Sequence, residues 1–167
     1  SAPTPDLVIE NDVFWPVWRA MGRGPVIIAE GLKKALSLLQ QGIPAIALRG
    51  VTQWHAKGGR ALWPELAELS QGREVLIAFD QDAKVTTRAA VSKQAALLGN
   101  AIERAGGRPR FMVWDGRQGK GIDDALASLP EGDRQGWLQR VVNMAISPQE
   151  HRRAASQAMA TAILSPT

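Results

Sequence analysis

Hydrophobic positions in this chain gather into short runs, and several of the runs stop on acids. Val26, Ile27, Ile28 and Ala29 follow one another without a polar side chain and end at Glu30-Gly31. That is how a strand covered on both faces reads. Leu32, Ala35, Leu36 and Leu39 then recur at helical spacing, which predicts a helix over about 32–41 closed by Gly42. Residues 43–48 form a second apolar strand. A long loop over 49–59 follows, with glycines and mixed polar residues, and long loops in compact domains are often functional. A short helix over 63–69 leads through Gly72 into a third strand, whose apolar residues Val75 to Phe79 stop at Asp80-Gln81-Asp82. The stripe Val91, Ala95, Leu98, Ile102 and Ala105 predicts a long helix over about 86–105, ended by Gly106-Gly107. Residues 110–114 read as a fourth strand, 115–121 as a loop, and 122–126 as the opening of another helix. Two further helices, about 131–145 and 148–163, complete the pattern.

Strands alternating with helices predict an α/β fold, a parallel four-stranded sheet flanked by helices, with extra helices at the C-terminus. Residues 1–24 mix prolines with Phe14, Trp15 and Trp18 and read as a packing arm or short helical lead-in. The expected division is an arm over 1–24, a sheet domain over 25–128 and a helical extension over 129–167. Open parallel sheets keep their ligands at the carboxyl ends of the strands. Glu30, Asp80 and Asp82 are expected there.

Composition narrows the chemistry. With 167 residues and 45% hydrophobic content, the chain can build one core. It has no cysteine and two isolated histidines, His55 and His151, which leaves out a disulfide scaffold and makes a poor zinc site. A hard cation held by oxygen remains. No apolar run approaches the ~20 residues of a membrane span, and no signal peptide opens the chain, so a cytoplasmic protein without membrane contact is expected. The start, lacking an initiator Met, reads as part of a longer protein. The net charge of +4 permits a nucleic-acid partner without requiring one.

Asp80 and Asp82 stand two apart, so at a strand end both can reach one point. Like charges that close repel, and a Mg²⁺ ion resolves this by taking one or two carboxylates, water and phosphate. Mn²⁺ is the expected substitute. Asp123-Asp124 would bring more acids to the same edge, although Asp123 could equally cap the helix that follows. Between residues 81 and 122, eight basic residues face three acids. Lys33, Lys34, Lys84 and Lys120 each lie within a few residues of a proposed site acid, where they could hold a phosphodiester or triphosphate. Gly31 would be the tight turn after Glu30, and Arg49, Lys57 and Arg88 complete the candidate nucleic-acid set. Trp54 and His55 could stack on a base or pack down on the domain. No GxxxxGK[ST] phosphate loop is present.

The order apolar strand–Glu30-Gly31, then Asp80-Gln81-Asp82, then Lys120-Gly-Ile-Asp-Asp124-Ala-Leu resembles the toprim domain shared by bacterial-type DNA primases, topoisomerases and some nucleases. It is most similar to the toprim-like domains of primase and replication proteins from plasmids, phages and other mobile elements. There the equivalent of Ala29-Glu-Gly-Leu-Lys-Lys-Ala35 precedes a glycine-isoleucine-proline strand, as Gly42-Ile43-Pro44 does here. The resemblance covers about 25–128 and implies a catalytic domain of nucleotidyl transfer. It makes Glu30 the general acid/base or a metal-linked carboxylate and has Asp80, Asp82 and one or both of Asp123 and Asp124 bind Mg²⁺; Lys34 and Lys84, beside these acids in the sequence, are expected to be catalytic with Glu30. Primases carry an acid-x-acid pattern where this chain has adjacent aspartates.

Strand-passing toprim enzymes use a tyrosine, and this chain has none. The expectation is therefore the catalytic domain of a DNA primase, with a DNA template and nucleoside triphosphates as partners and neighbouring domains such as a helicase. A metal-dependent nuclease would use the same acids, and a non-catalytic nucleic-acid-binding module would keep the fold without the chemistry.

Overall fold

The computed structural model describes residues 7, 8, 20, 22–55 and 58–164. Lys57 and most of the 1–24 arm, Phe14, Trp15 and Trp18 included, lie outside the described residues.

The elements run β1 (Leu7–Val8), β2 (Val26–Glu30), α1 (Leu32–Gln40), β3 (Ala45–Leu48), α2 (Pro64–Ser70), β4 (Glu74–Ala78), α3 (Val85–Arg104), β5 (Arg108–Phe111), α4 (Ile122–Ala127), α5 (Glu131–Asn143) and α6 (Pro148–Leu164). Four strands are parallel in the order β3-β2-β4-β5. The alternation read from the sequence is thus the observed architecture. The structure adds one strand to the four expected: β1 pairs antiparallel with β3, Leu7 opposite Leu48, and extends the sheet beyond its parallel edge.

Strand order fixes where a ligand can sit. From β2 the chain moves to β3 on one side, then returns across β2 to β4 and β5 on the other. Right-handed crossovers running in opposite directions put their helices on opposite faces. Accordingly α1 packs with α4, whereas α3 packs with α6. The crevice at such a reversal opens at the carboxyl ends of the two diverging strands, here β2 and β4.

Apolar burial holds the sheet between these layers. Ile27, Ile28, Leu76 and Ile77 are at most 2% exposed, and each contributes roughly 1.5–3 kcal/mol relative to an exposed side chain. On α1 the buried residues are Ala35, Leu38 and Leu39. The expected stripe is therefore rotated by one position, and Leu32 projects at 40% exposure beside the sheet edge. On α3 the inward stripe is Ala95, Leu98 and Ile102, as expected.

The fourth parallel strand lies earlier than the 110–114 read from the apolar residues. Arg108 N donates to Arg73 O at 2.8 Å, and the ladder pairs Glu74 with Arg108 through Ile77 with Phe111. Met112 N still donates to Ile77 O at 2.9 Å, after which Val113 turns out to 48% exposure. Pairing decides the boundary, not hydrophobicity. Pro109 is tolerated because β5 is the outer strand of the parallel set.

Residues beyond α5 cover that outer edge. Phe111 and Ile146 exchange both backbone hydrogen bonds at 2.9 Å, and the His151 ring of α6 stacks on Phe111 with centroids 4.0 Å apart. Burial, with the Arg152 guanidinium adding to it, holds the His151 imidazole below its ordinary range. The unfolded chain takes up this proton near pH 6.5 and the folded one resists it, so stability is lost as pH falls from there toward the folded value. His151→Phe keeps a ring against Phe111 and removes the proton. Thermal melts of the variant should lose less between pH 7 and pH 5 than those of the wild type; equal losses would place the acid sensitivity elsewhere.

Candidate functional site

β2 delivers Glu30 to the crevice, half-buried, opposite Leu48 in the register. The next residue turns sharply: Gly31 N donates to Leu48 O at 2.7 Å while its φ of 95° lies where a side chain is disfavoured. α1 starts at once, with Lys33 and Lys34 in its first turn and no acid there. Cations at a helix N-terminus oppose the macrodipole. They are held there by acids from other elements: Lys34 Nζ lies 3.5 Å from Asp80 Oδ1, and Lys33 Nζ 3.7 Å from Asp123 Oδ2. A local rule broken in this way marks a place shaped by something other than stability.

β4 supplies the second group. Phe79 is buried, and the Gln81 amide donates to Phe79 O at 3.1 Å while Gln81 N donates to Lys120 O at 2.8 Å. Gln81 thus ties the strand end to the 115–121 loop, and Asp80 and Asp82 flank it. Asp82 accepts from Lys84 N at 2.9 Å and pairs with Lys120 Nζ at 2.7 Å. The hydrogen bond from Lys120 and then the backbone N–H of Lys84 hold this carboxyl below the usual carboxylate range. Lys120 is raised in turn, chiefly by its bond to Asp82, with the charges of Asp80 and Glu30 adding to it. One ammonium therefore senses Glu30, Asp80 and Asp82 together.

The third group arrives by close packing. Trp114 Nε1 donates to Gly119 O at 2.9 Å and pins the loop. A Cβ on Gly121 would stand 2.6 Å from Asp123 Oδ1, 2.7 Å from Lys34 Cε and 3.4 Å from Asp80 Oδ1. Glycine is what allows these three side chains to meet. Asp80 Oδ1 and Asp123 Oδ1 are both buried without a hydrogen-bond partner, the Lys34 contact being longer than a good hydrogen bond. Buried polar atoms are ordinarily satisfied, so two orphaned carboxylate oxygens flanking one glycine call for a cation or donor from outside.

Set against the sequence reading, the structure brings together Glu30, Gly31, Lys33, Lys34, Asp80, Asp82, Lys120 and Asp123. Asp123 does not cap α4; the cap position is Gly121 with no side-chain cap bond, and Asp123 points inward at 9% exposure. Its neighbour Asp124 is exposed and forms no ion pair among the described residues. Adjacent positions on a helix face different ways, and only Asp123 belongs to the cluster. Trp54 is a correction: at 2% exposure, edge-on to His55, it packs inside and presents no face to a base. Arg49, Lys84 and Arg88 are exposed around the crevice. Sequence reasoning missed Gln81 and Trp114 as the ties of the loop. The spacing Gly116, Gly119, Gly121 was the available signal.

Among the described residues, no three carboxylate or imidazole side chains are gathered closely enough to hold a metal by themselves. Lysines alternate with the acids instead. Such an arrangement can accept a phosphate group and a hard cation together, the cation taking one or two carboxylates and the lysines turning to the phosphate oxygens. No helix among the described residues is long and apolar enough to cross a membrane.

Residues 14–131 match the model of a family described as a domain of unknown function, DUF3854. An uncharacterized protein of Picosynechococcus sp. is 34% identical over 124 residues, covering 68% of this chain, and the match spans 12% of that relative's length. The match takes in every side chain of the crevice just described, and by it the chain belongs to the DUF3854 family.

Proposed function

We propose that the crevice is a toprim-like, Mg²⁺-dependent nucleotidyl-transfer site, and that the chain is the catalytic domain of a DNA primase within a longer replication protein. The observation that carries this reading is the pair of orphaned buried oxygens, Asp80 Oδ1 and Asp123 Oδ1, both against the Cα of Gly121 with Lys34 beside them. Asp80 and Asp123 would hold the ion through their unpartnered oxygens, with Asp82 beside them once Lys120 turns away, and the ion would supply charge neutralisation of the phosphates and polarisation of the phosphoryl oxygen. Lys33, Lys34 and Lys120, freed from their carboxylates, grip the triphosphate as point charges. Glu30, the one acid of the group with no lysine partner among the described residues, accepts the proton of the attacking 3′-hydroxyl. The new O3′–phosphorus bond forms in line as the bond to pyrophosphate breaks.

The match to a small part of a longer relative supports a module that works among other domains, a helicase being the partner expected of a replication protein. A cytoplasmic location is in keeping with nucleoside triphosphate substrates.

Incubation with a single-stranded DNA template, labelled nucleoside triphosphates and Mg²⁺ tests the reading. Template-dependent oligonucleotides that disappear with EDTA are expected. Degradation of labelled DNA without synthesis would assign the same acids to a nuclease.

A second reading is favoured by the lysine pairs themselves: with Asp80, Asp82 and Asp123 each already next to an ammonium, the crevice can be a binding module without catalysis. The two differ in metal response. A working site at Mg²⁺ a hundred times its Kd gains about 2.7 kcal/mol of stability, whereas the binding module gains none.

A further inference from the structure

A groove follows the seam where α3 meets α6 and is lined at one end by Asp80 and Asp82. Its volume, about 1290 Å³, exceeds the ~300–1,000 Å³ of sites that enclose a small molecule. Along α3 it runs from Val85 to Ala96, about 17 Å at 1.5 Å per residue. That is room for about five stacked nucleotides at ~3.4 Å spacing. The far wall comes from α6, which begins beyond the family match ending at residue 131.

We infer that this groove is the track along which a single-stranded nucleic acid reaches the carboxylate site. The inference rests on the reading proposed above for that site. Two properties of the groove select this occupant over a small ligand or an apolar peptide. Its floor is apolar, with Val91, Ala155 and Met159 available to the faces of bases. Its rim is cationic: Arg88 and Lys93 on α3 and Arg152 on α6 line it, exposed, and none makes an ion pair among the described residues. The acids in the lining are engaged, Asp80 by Lys34, Asp82 by Lys120 and Asp115 by Arg117. Unpaired cations over an apolar floor suit a polymer that alternates phosphates with bases, and continuity with the crevice gives that polymer a destination.

Fluorescence anisotropy of labelled twelve-nucleotide DNA and RNA strands in EDTA tests the track apart from the chemistry. The doubly substituted Arg88→Gln/Arg152→Gln chain should bind about tenfold more weakly. Its dependence of log K on log salt should flatten by about 1.4, two phosphate contacts at ~0.7 each. Ala155→Trp, which fills the floor without changing charge, should weaken binding as well, and Arg140→Gln on α5, outside the groove, should not. Wild-type protein that binds no strand, or groove variants that bind as the wild type does, would overturn the track and leave the carboxylate site standing. Polyglutamate displacing the strand as readily as unlabelled oligonucleotide would also overturn it and assign the rim to an acidic polypeptide. Groove-dependent strand binding with no Mg²⁺-dependent turnover would uphold the track and remove the nucleotidyl-transfer reading.

Discussion

Asp80→Asn is expected to lower Mg²⁺-dependent nucleotide incorporation by about a thousandfold while leaving the protein folded. Asparagine keeps the shape of the side chain and removes its charge, so the effect reports the electrostatics of the crevice. A carboxylate that links the chain to a divalent ion is worth several kcal/mol to a charged transition state, and about 4 kcal/mol corresponds to a factor of 10³ in rate. The stability side is far smaller. Asp80 and Lys34 are 17% and 21% exposed and sit 3.5 Å apart, and partly solvated pairs of this kind contribute about 1 kcal/mol or less. At ~2–4 °C per kcal/mol for a chain of this size, the melting temperature should move by no more than about 4 °C. Steady-state kcat/KM and a thermal melt on the same preparation separate the two. Incorporation within a few-fold of wild type would show that Asp80 serves only Lys34 and would overturn its role in holding the ion.

The sequence shows the frame more readily than the contacts that complete it. Val26–Ala29 and Val75–Phe79 are uninterrupted apolar runs because both faces of the central strands are covered, and no tertiary information is needed to see that. Strand β5 is the counter-example. Its residues Arg108, Pro109 and Arg110 look nothing like a strand, and it exists because β4 offers a ladder and Ile146 closes the other side. Short β1 is likewise made by the edge of β3, not by its own two residues. The acids at the strand ends could be placed from order alone, since a parallel sheet brings all its carboxyl ends to one side. Which of Asp123 and Asp124 turns inward could not, because that depends on the phase of α4 as Gly119 and Gly121 seat it against α1. Trp54 shows the limit for aromatics in loops: its type suggests stacking, and only the fold reveals that it is covered.

Gly119→Ala should be among the most damaging single substitutions in the protein, although it adds one methyl group to a loop. A Cβ at residue 119 would lie 2.3 Å from Ala125 N and 2.6 Å from the Asp124 carbonyl carbon. Both are backbone atoms of α4, which cannot rotate aside as a side chain can. Overpacking costs typically 1–3 kcal/mol, and a clash with fixed backbone belongs at the upper end, about 3 kcal/mol. The melting temperature should then fall by roughly 6–12 °C. Gly132→Ala is the internal control, since a Cβ there meets nothing within 4 Å and residue 132 lies in α5; it should raise stability by up to about 1 kcal/mol. The same contact joins stability to the site. If the loop backs away from α4, Gly119 O leaves Trp114 Nε1 and Lys120 is carried from Asp82. Gly119→Ala should therefore weaken Mg²⁺-dependent stabilisation even at temperatures where the variant is folded. A melt within about 2 °C of wild type would mean that the loop absorbs the methyl group, and the crevice would then owe its shape to Gln81 and the strand ends rather than to the seating of this loop on α4.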